Sequence, residues 1–141
     1  MFAWRCVQNS LPTAENLKRK EIPSEGCVGC SEDREDTLHL LFNCSFARLV
    51  WAISGLPWGV VGSAGPGVES WFKWVHSKLE KDDWGLFLSI CWALWWARNQ
   101  RIFEGRRVEA SSVIPTASRS IGAVDGDRFG GRIVAILLDS C

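Results

Sequence analysis

The chain has 141 residues, of which 47% are hydrophobic. This is enough to bury a core in one domain, or in one domain with an appendage, and it excludes a disordered tail. The 16 basic and 16 acidic side chains cancel, which excludes a strong overall field toward nucleic acid or an anionic membrane, so partners must be argued from local features. The first residues show no secretory signal, and we therefore expect an intracellular, reducing location, with no preference between nucleus and cytoplasm.

The first predicted element is a short helix in the stretch AENLKRK, directly after Thr13. Its residues favour helix, and Thr13 is suited to cap it. Leu17 falls on one face, while Lys18, Arg19 and Lys20 spread across the rest of the surface.

Three cysteines and a histidine follow within eighteen residues, spaced C-x2-C-x8-H-x4-C. These residues are Cys27, Cys30, His39 and Cys44. Two residues between the first two cysteines is the separation of a zinc knuckle, in which a tight turn aims both sulfurs at one metal. Gly29 can supply the positive φ that such a turn often needs.

The polar spacer SEDREDTL leads into the apolar run LHLLF, which predicts a loop and then a short helix capped by Asp36 or Thr37. His39 would face the knuckle from the first turns of this helix, with Cys44 just past its end. Three thiolates and one imidazole fill the four positions of Zn²⁺ and leave none for water. The predicted site is therefore structural and not catalytic.

Two other interpretations of the cysteines stay open, a disulfide and burial as small hydrophobic residues. A reducing location and a low cysteine density argue against the disulfide. The remaining cysteines, Cys6, Cys91 and Cys141, are scattered along the chain, and we expect none of them to bind the metal.

A further helix is predicted for FARLVWAIS, with Ser45 as its cap. Its apolar face, at positions i, i+3, i+4 and i+7, consists of Phe46, Leu49, Val50 and Ile53.

Several separated features occur together between residues 2 and 51. They are Trp4-Arg5, Leu11-Pro12-Thr13, Leu17, Arg19, the cysteine and histidine spacing, Phe46-Ala47-Arg48 and Trp51. With them the segment resembles the zinc-binding domain found downstream of the reverse transcriptase in plant non-LTR, LINE-type retrotransposons. The resemblance implies a small, mainly helical zinc module of a polyprotein that assists nucleic-acid handling, with Cys27, Cys30, His39 and Cys44 as the zinc ligands. No active-site residue carries over.

The second half is predicted to form two helices after a Gly/Pro-rich break at 55–67. The first has an apolar face of Val68, Trp71, Phe72, Val75 and Leu79, and the second is predicted to run continuously over 83–103 and to pack against 68–79. Its uncharged stretch, 84–97, is fourteen residues long, whereas about twenty span a bilayer, so a buried helix is favoured over a membrane-inserted one. The stretch CWALWWARNQRIFEG also resembles, more loosely, the linker before the RNase H-like domain of such retroelement proteins.

The predicted fold class is mainly α, with a zinc-stabilised helical module at 1–54 and the linker at 55–67. An apolar helical hairpin at 68–105 and an irregular, poorly structured tail at 106–141 complete the prediction. Asp125, Asp127 and Asp139 in the tail are expected to be solvated turn residues.

No nucleophile and base pair can be assembled from these motifs, so the chain is predicted not to be an enzyme. Residues 1–56 carry six basic and seven acidic side chains, and four of the acids crowd the metal loop. Any phosphate contact is therefore expected on the opposite side, from Arg5, Lys18, Arg19 and Lys20, which predicts weak binding of single-stranded RNA or DNA. The alternative is a structural or protein-interaction module, with the neighbouring domains of a retroelement polyprotein as partners.

Overall fold

The computed structural model describes residues 2–23, 26–30, 34–62 and 67–124. Within these ranges the chain is mainly α and contains no strand, as predicted. The helices are α1 Phe2–Val7, α2 Ala14–Arg19, α3 Ser45–Ile53, α4 Trp58–Val61, α5 Val68–Lys78, α6 Lys81–Glu104 and α7 Ala110–Val124, with a π-helical turn at His39–Asn43 between α2 and α3. Residues 31–33 of the metal loop, Cys141 and the three tail aspartates lie outside the described residues.

Six buried aromatic rings form the centre of the core. Neighbouring rings have centroids 5.0 to 6.1 Å apart, and the set consists of Phe42, Trp51, Trp71, Phe72, Trp84 and Phe87. Such offset and edge-to-face contacts add to the stabilisation from burying large apolar surfaces. The rings come from the π-helical turn, α3, α5 and α6, so one hydrophobic core continues across residues 55–67.

α6 is the longest helix and confirms the continuous helix predicted for 83–103. It contacts α5 through ring pairs, among them Phe72 with Trp84 and Trp71 with Phe87. Gly105 ends the helix with a left-handed φ of 62°, where glycine avoids the steric cost of a side chain. No helix in the described ranges is long and apolar enough to cross a bilayer.

The segment predicted as a linker contains the short helix α4 and contributes Leu56 and Val61 to the core. The indole N–H of Trp71 donates to the carbonyl of Val61 at 2.9 Å, and that of Trp74 donates to the carbonyl of Val60 at 2.8 Å. Two indoles of α5 thus hold the backbone of α4 against the core.

The buried face of α3 differs from the predicted one. Ala47, Val50 and Trp51 are buried, whereas Leu49 and Ile53 are exposed. The large Trp51 ring decides the orientation, because it enters the aromatic core and its indole N–H donates to a buried carbonyl of the preceding turn, that of Leu41, at 2.7 Å.

Residues 110–124 also differ from the sequence prediction, because they form a helix where an irregular tail was expected. α7 packs on α6 and α3 and buries Ala110, Val113 and Ala117. Pro115 lies inside the helix and lowers its intrinsic stability. Burial against two neighbouring helices overrides this local preference, which a reading of the sequence alone could not weigh.

Candidate metal centre

The structure brings the four predicted ligands together. The donor atoms of Cys27, Cys30, His39 and Cys44 all lie within 4.8 Å of one another, and three of these residues are buried. The two sulfurs of Cys27 and Cys44 are 3.6 Å apart, and Nε2 of His39 is 3.2 Å from the sulfur of Cys30. Tetrahedral zinc with bonds of about 2.3 Å to sulfur and 2.0 Å to nitrogen needs donors roughly 3.5 to 3.8 Å apart. The four residues therefore form a compact potential zinc site of the right chemistry and size.

The π-helical turn explains how residues five apart in sequence face one point. The backbone N–H of Cys44 donates to the carbonyl of His39 at 2.8 Å, the i to i+5 bond that defines a π-turn. In an α-helix, side chains five positions apart point about 140° away from each other, since each residue advances by about 100°. The wider turn reduces this angle, and His39 and Cys44 both reach the knuckle.

Asp36 caps this turn, as the spacing predicted. Its carboxylate oxygen Oδ1 accepts a hydrogen bond from the backbone N–H of His39 at 2.7 Å. The hydroxyl of Thr37, the other predicted cap, instead donates to the side-chain carbonyl of Asn9 at 2.8 Å and so ties the turn to the loop after α1. The backbone that presents His39 is therefore fixed from both sides.

Backbone amides surround two of the sulfurs. The thiol of Cys27 donates to the sulfur of Cys44, and this hydrogen bond, together with burial, raises the pKa of Cys27. The same hydrogen bond lowers the pKa of Cys44, and the amides of Phe46 and Ala47 at the start of α3 lower it further. Amides at a helix N-terminus favour a thiolate, which is the form that binds metal.

Gly29 is needed for space and not for its backbone conformation. The expected positive φ is absent, since the described glycines with positive φ are Gly55 and Gly105. A Cβ atom at position 29 would lie 3.1 Å from the sulfur of Cys44 and 3.7 Å from that of Cys27. A side chain at this position would therefore crowd the sulfur of Cys44 and require the knuckle to shift.

Cys6 and Cys91 are buried in the hydrophobic core and lie outside the cluster. Burial raises the pKa of both thiols well above the usual range. They stay protonated and pack as small apolar side chains, as expected for cysteines that do not bind the metal.

One buried ion pair beside the metal centre escaped the sequence prediction. Glu35, one of the acids counted in the metal loop, is only 1% exposed, and Arg98 of α6 is 8% exposed. Arg98 donates from Nη2 and Nε to the two carboxylate oxygens at 2.9 and 3.2 Å and from Nη2 to the carbonyl of Pro12 at 3.2 Å. The carboxylate also accepts from the backbone N–H of Ala14 at 2.9 Å. The available signal was Arg98 itself, the first charge after the apolar stretch of α6.

The predicted phosphate contacts lie on the surface of α1 and α2. Arg5, Lys18, Arg19 and Lys20 are all exposed. Arg5 donates to the carbonyl of Ser10 at 3.4 Å, and Arg19 donates to the side-chain oxygen of Asn16 at 3.4 Å. Trp4, which precedes Arg5 on α1, is 36% exposed.

Comparisons with known proteins address the first third of the chain. No curated protein and no solved structure matches the sequence. Residues 1–51 are similar to a known family, because they match the family model described as zinc-binding in reverse transcriptase.

Proposed function

We propose that the chain is a non-catalytic module, stabilised by one Zn²⁺, that derives from a retrotransposon polyprotein and binds single-stranded nucleic acid weakly. One observation carries this proposal. Four metal-binding side chains meet at one point, within a segment that matches a zinc-binding family model; they are Cys27, Cys30, His39 and Cys44. A site with four protein ligands leaves no position for a reactive water.

The role of the metal follows from where its ligands sit. Bound zinc would crosslink the knuckle to the π-helical turn and to the start of α3, two short elements that are marginal as isolated helices. The same π-helical turn carries Leu40, Leu41 and Phe42 into the core. Holding this turn in place therefore stabilises the packing of the hydrophobic residues around it.

Nucleic-acid binding is proposed for the exposed side chains Arg5, Lys18, Arg19 and Lys20. Three or four phosphate contacts support only weak binding. Its salt dependence should be shallow, because each contact on a single strand adds about −0.7 to the slope of log K against log salt concentration. The exposed face of Trp4, next to Arg5 on α1, adds a surface on which a base can stack.

The test is a titration of labelled single-stranded RNA and DNA at low salt against the wild-type chain and a Lys18→Ala/Arg19→Ala/Lys20→Ala variant. We expect wild-type binding that salt weakens, and a loss of affinity in the variant at unchanged zinc content. Absence of binding by the wild-type chain would refute the nucleic-acid part of the proposal and leave the zinc part standing.

A protein-interaction module is the second candidate, and the exposed apolar side chains favour it. Leu49 and Ile53 of α3 and Ile102 and Phe103 of α6 are exposed, Phe103 by 73%. Exposed large apolar side chains are typical of contact surfaces when they are contiguous. Wild-type chain that binds no strand but associates with the neighbouring polyprotein domains would establish this function instead.

A further inference from the structure

A cavity of about 260 Å³ lies directly beside the metal centre. Three parts of the fold form it: the zinc knuckle with the start of α3, the last turns of α6, and the irregular segment after α6. The residues that decide its chemistry are Arg98, Arg101 and Arg107, while Val28, Phe46 and Val108 supply apolar wall.

The three arginines around this cavity differ in whether an acidic side chain neutralises them. Arg98 is neutralised by its buried ion pair with Glu35. Arg101 and Arg107 are exposed, and neither forms an ion pair with any residue in the described ranges. Neither arginine is paired with Glu104 or Glu109, the acids nearest to them in sequence. Two positive charges thus face the cavity with no carboxylate partner in the described ranges, although the sulfurs of Cys27 and Cys44 also line it.

The volume and the two arginines suit a small anion such as one phosphate group. A guanidinium group donates two parallel hydrogen bonds to phosphate oxygens, and two such groups from different parts of the fold can hold one phosphate. The volume lies below the range of about 300 to 1,000 Å³ that is usual for whole small-molecule ligands.

We propose that this cavity binds the phosphate backbone of a single-stranded nucleic acid, with Arg101 and Arg107 donating to phosphate oxygens. The proposal rests on the proposed nucleic-acid binding and gives it a second surface, on the metal side of the chain. The sequence had assigned phosphate contacts to the opposite side because acids crowd the metal loop. One of those acids, Glu35, is buried and paired, so it does not repel an anion at the cavity.

The sequence provides a matched control for the experiment. Arg106 is exposed like Arg107 and adjacent to it, but it does not line the cavity. Arg101→Gln and Arg107→Gln each remove one charge from the cavity, and Arg106→Gln removes the same charge beside it. Each variant is titrated with a short labelled uridine homopolymer over a range of salt concentrations, and its zinc content and unfolding midpoint are measured.

We expect Arg101→Gln and Arg107→Gln each to weaken binding roughly fivefold to tenfold at about 50 mM salt, because each removes one phosphate contact. For the same reason, the slope of log K against log salt concentration should become shallower by about 0.7 in each variant. Arg106→Gln should keep wild-type affinity, and all three variants should keep zinc. The Lys18→Ala/Arg19→Ala/Lys20→Ala variant, measured in parallel, reports on the first surface.

The remaining outcomes each overturn the proposal in a recognisable way. Wild-type affinity in both cavity variants, with a loss in the α2 variant, removes the cavity site and keeps the proposed function. Loss of zinc in the cavity variants shows that the arginines serve the metal centre. Arginine-dependent binding of polyglutamate without binding of the strand identifies an acidic protein as the partner. No strand binding by the wild-type chain removes both surfaces together.

Discussion

The metal centre and the aromatic core are neighbouring regions that are stabilised by different interactions. The metal centre gathers three cysteines and a histidine from a knuckle, a π-helical turn and the start of α3, with backbone amides around the sulfurs. The aromatic core gathers six rings from four elements and depends on the burial of large apolar surfaces. Order in the first region depends on directional ligands, whereas order in the second depends on area and shape.

The contacts between the two regions show that neither stands alone. The π-helical turn that presents His39 to the site also places Phe42 among the core rings. The ion pair between Glu35 of the metal loop and Arg98 of α6 joins the regions a second time. The metal site is therefore built into the hydrophobic core and is not an appendage beside it. Variants can test how strongly the two regions depend on each other.

Removing a ligand should have the largest effect. Cys44→Ser should abolish stoichiometric zinc binding and unfold the region around the site, since apparent zinc-linked folding energies in small modules are on the order of 10 kcal/mol. Hydrogen exchange should show residues 34–54 losing protection while the middle of α6 keeps more of it. Cys91→Ala is the control, because Cys91 is equally buried but lies outside the cluster, and it should keep its zinc. Loss of zinc in that control would contradict the ligand assignment.

Breaking the ion pair between the regions should have the next largest effect. Arg98→Met leaves the buried carboxylate of Glu35 without its partner, and such uncompensated buried charges cost about 3 to 5 kcal/mol. Denaturant unfolding of the zinc-loaded protein measures the loss. Adding Glu35→Gln should recover part of it, because the second change removes the stranded charge.

The partly exposed pair between Lys73 and Glu69 on α5 is the control for this prediction. Lys73→Met should cost less than about 1 kcal/mol, since solvent screens partly exposed pairs. Equal losses from Arg98→Met and Lys73→Met would show that the buried pair does not couple the metal loop to α6.

A smaller loss is expected when one indole hydrogen bond is removed. Trp51→Phe keeps a ring in the core but leaves the buried carbonyl of Leu41 unsatisfied, at a cost of about 1 to 3 kcal/mol. Trp74→Phe is its counterpart, because Trp74 donates to a carbonyl at a similar distance but is exposed. Water can replace that bond, so the unfolding free energy should fall by less than about 1 kcal/mol. A larger loss for Trp74→Phe than for Trp51→Phe would reverse this ranking.

The smallest stability change is expected at the knuckle glycine, where the effect should appear in metal affinity. Gly29→Ala places a Cβ 3.1 Å from the sulfur of Cys44 and should weaken zinc binding roughly tenfold in a chelator competition. Gly59→Ala adds the same methyl group in α4, where nothing lies within 4 Å, and should leave zinc affinity unchanged. Unchanged affinity in Gly29→Ala would mean that the knuckle adjusts at no cost.

The sequence by itself indicated the four donors, a cap at Asp36 or Thr37, the long helix α6 and the mainly helical fold. These features are local. Ligand spacing, cap residues and apolar runs are encoded within a few residues of where they act, so their positions can be located without knowing what lies across the fold.

The tertiary structure decided the features that depend on distant partners. Glu35 belongs to an acidic loop in the sequence, and its burial depends on Arg98, which lies 63 positions away. The orientation of α3 followed the ring of Trp51 and not the apolar periodicity, and α7 formed despite Pro115 because two helices cover it. The π-helical turn likewise depends on the meeting of His39 and Cys44 at one point. For the ion pair, α3 and α7, the stabilising free energy comes from groups far apart in sequence, which local preference cannot report.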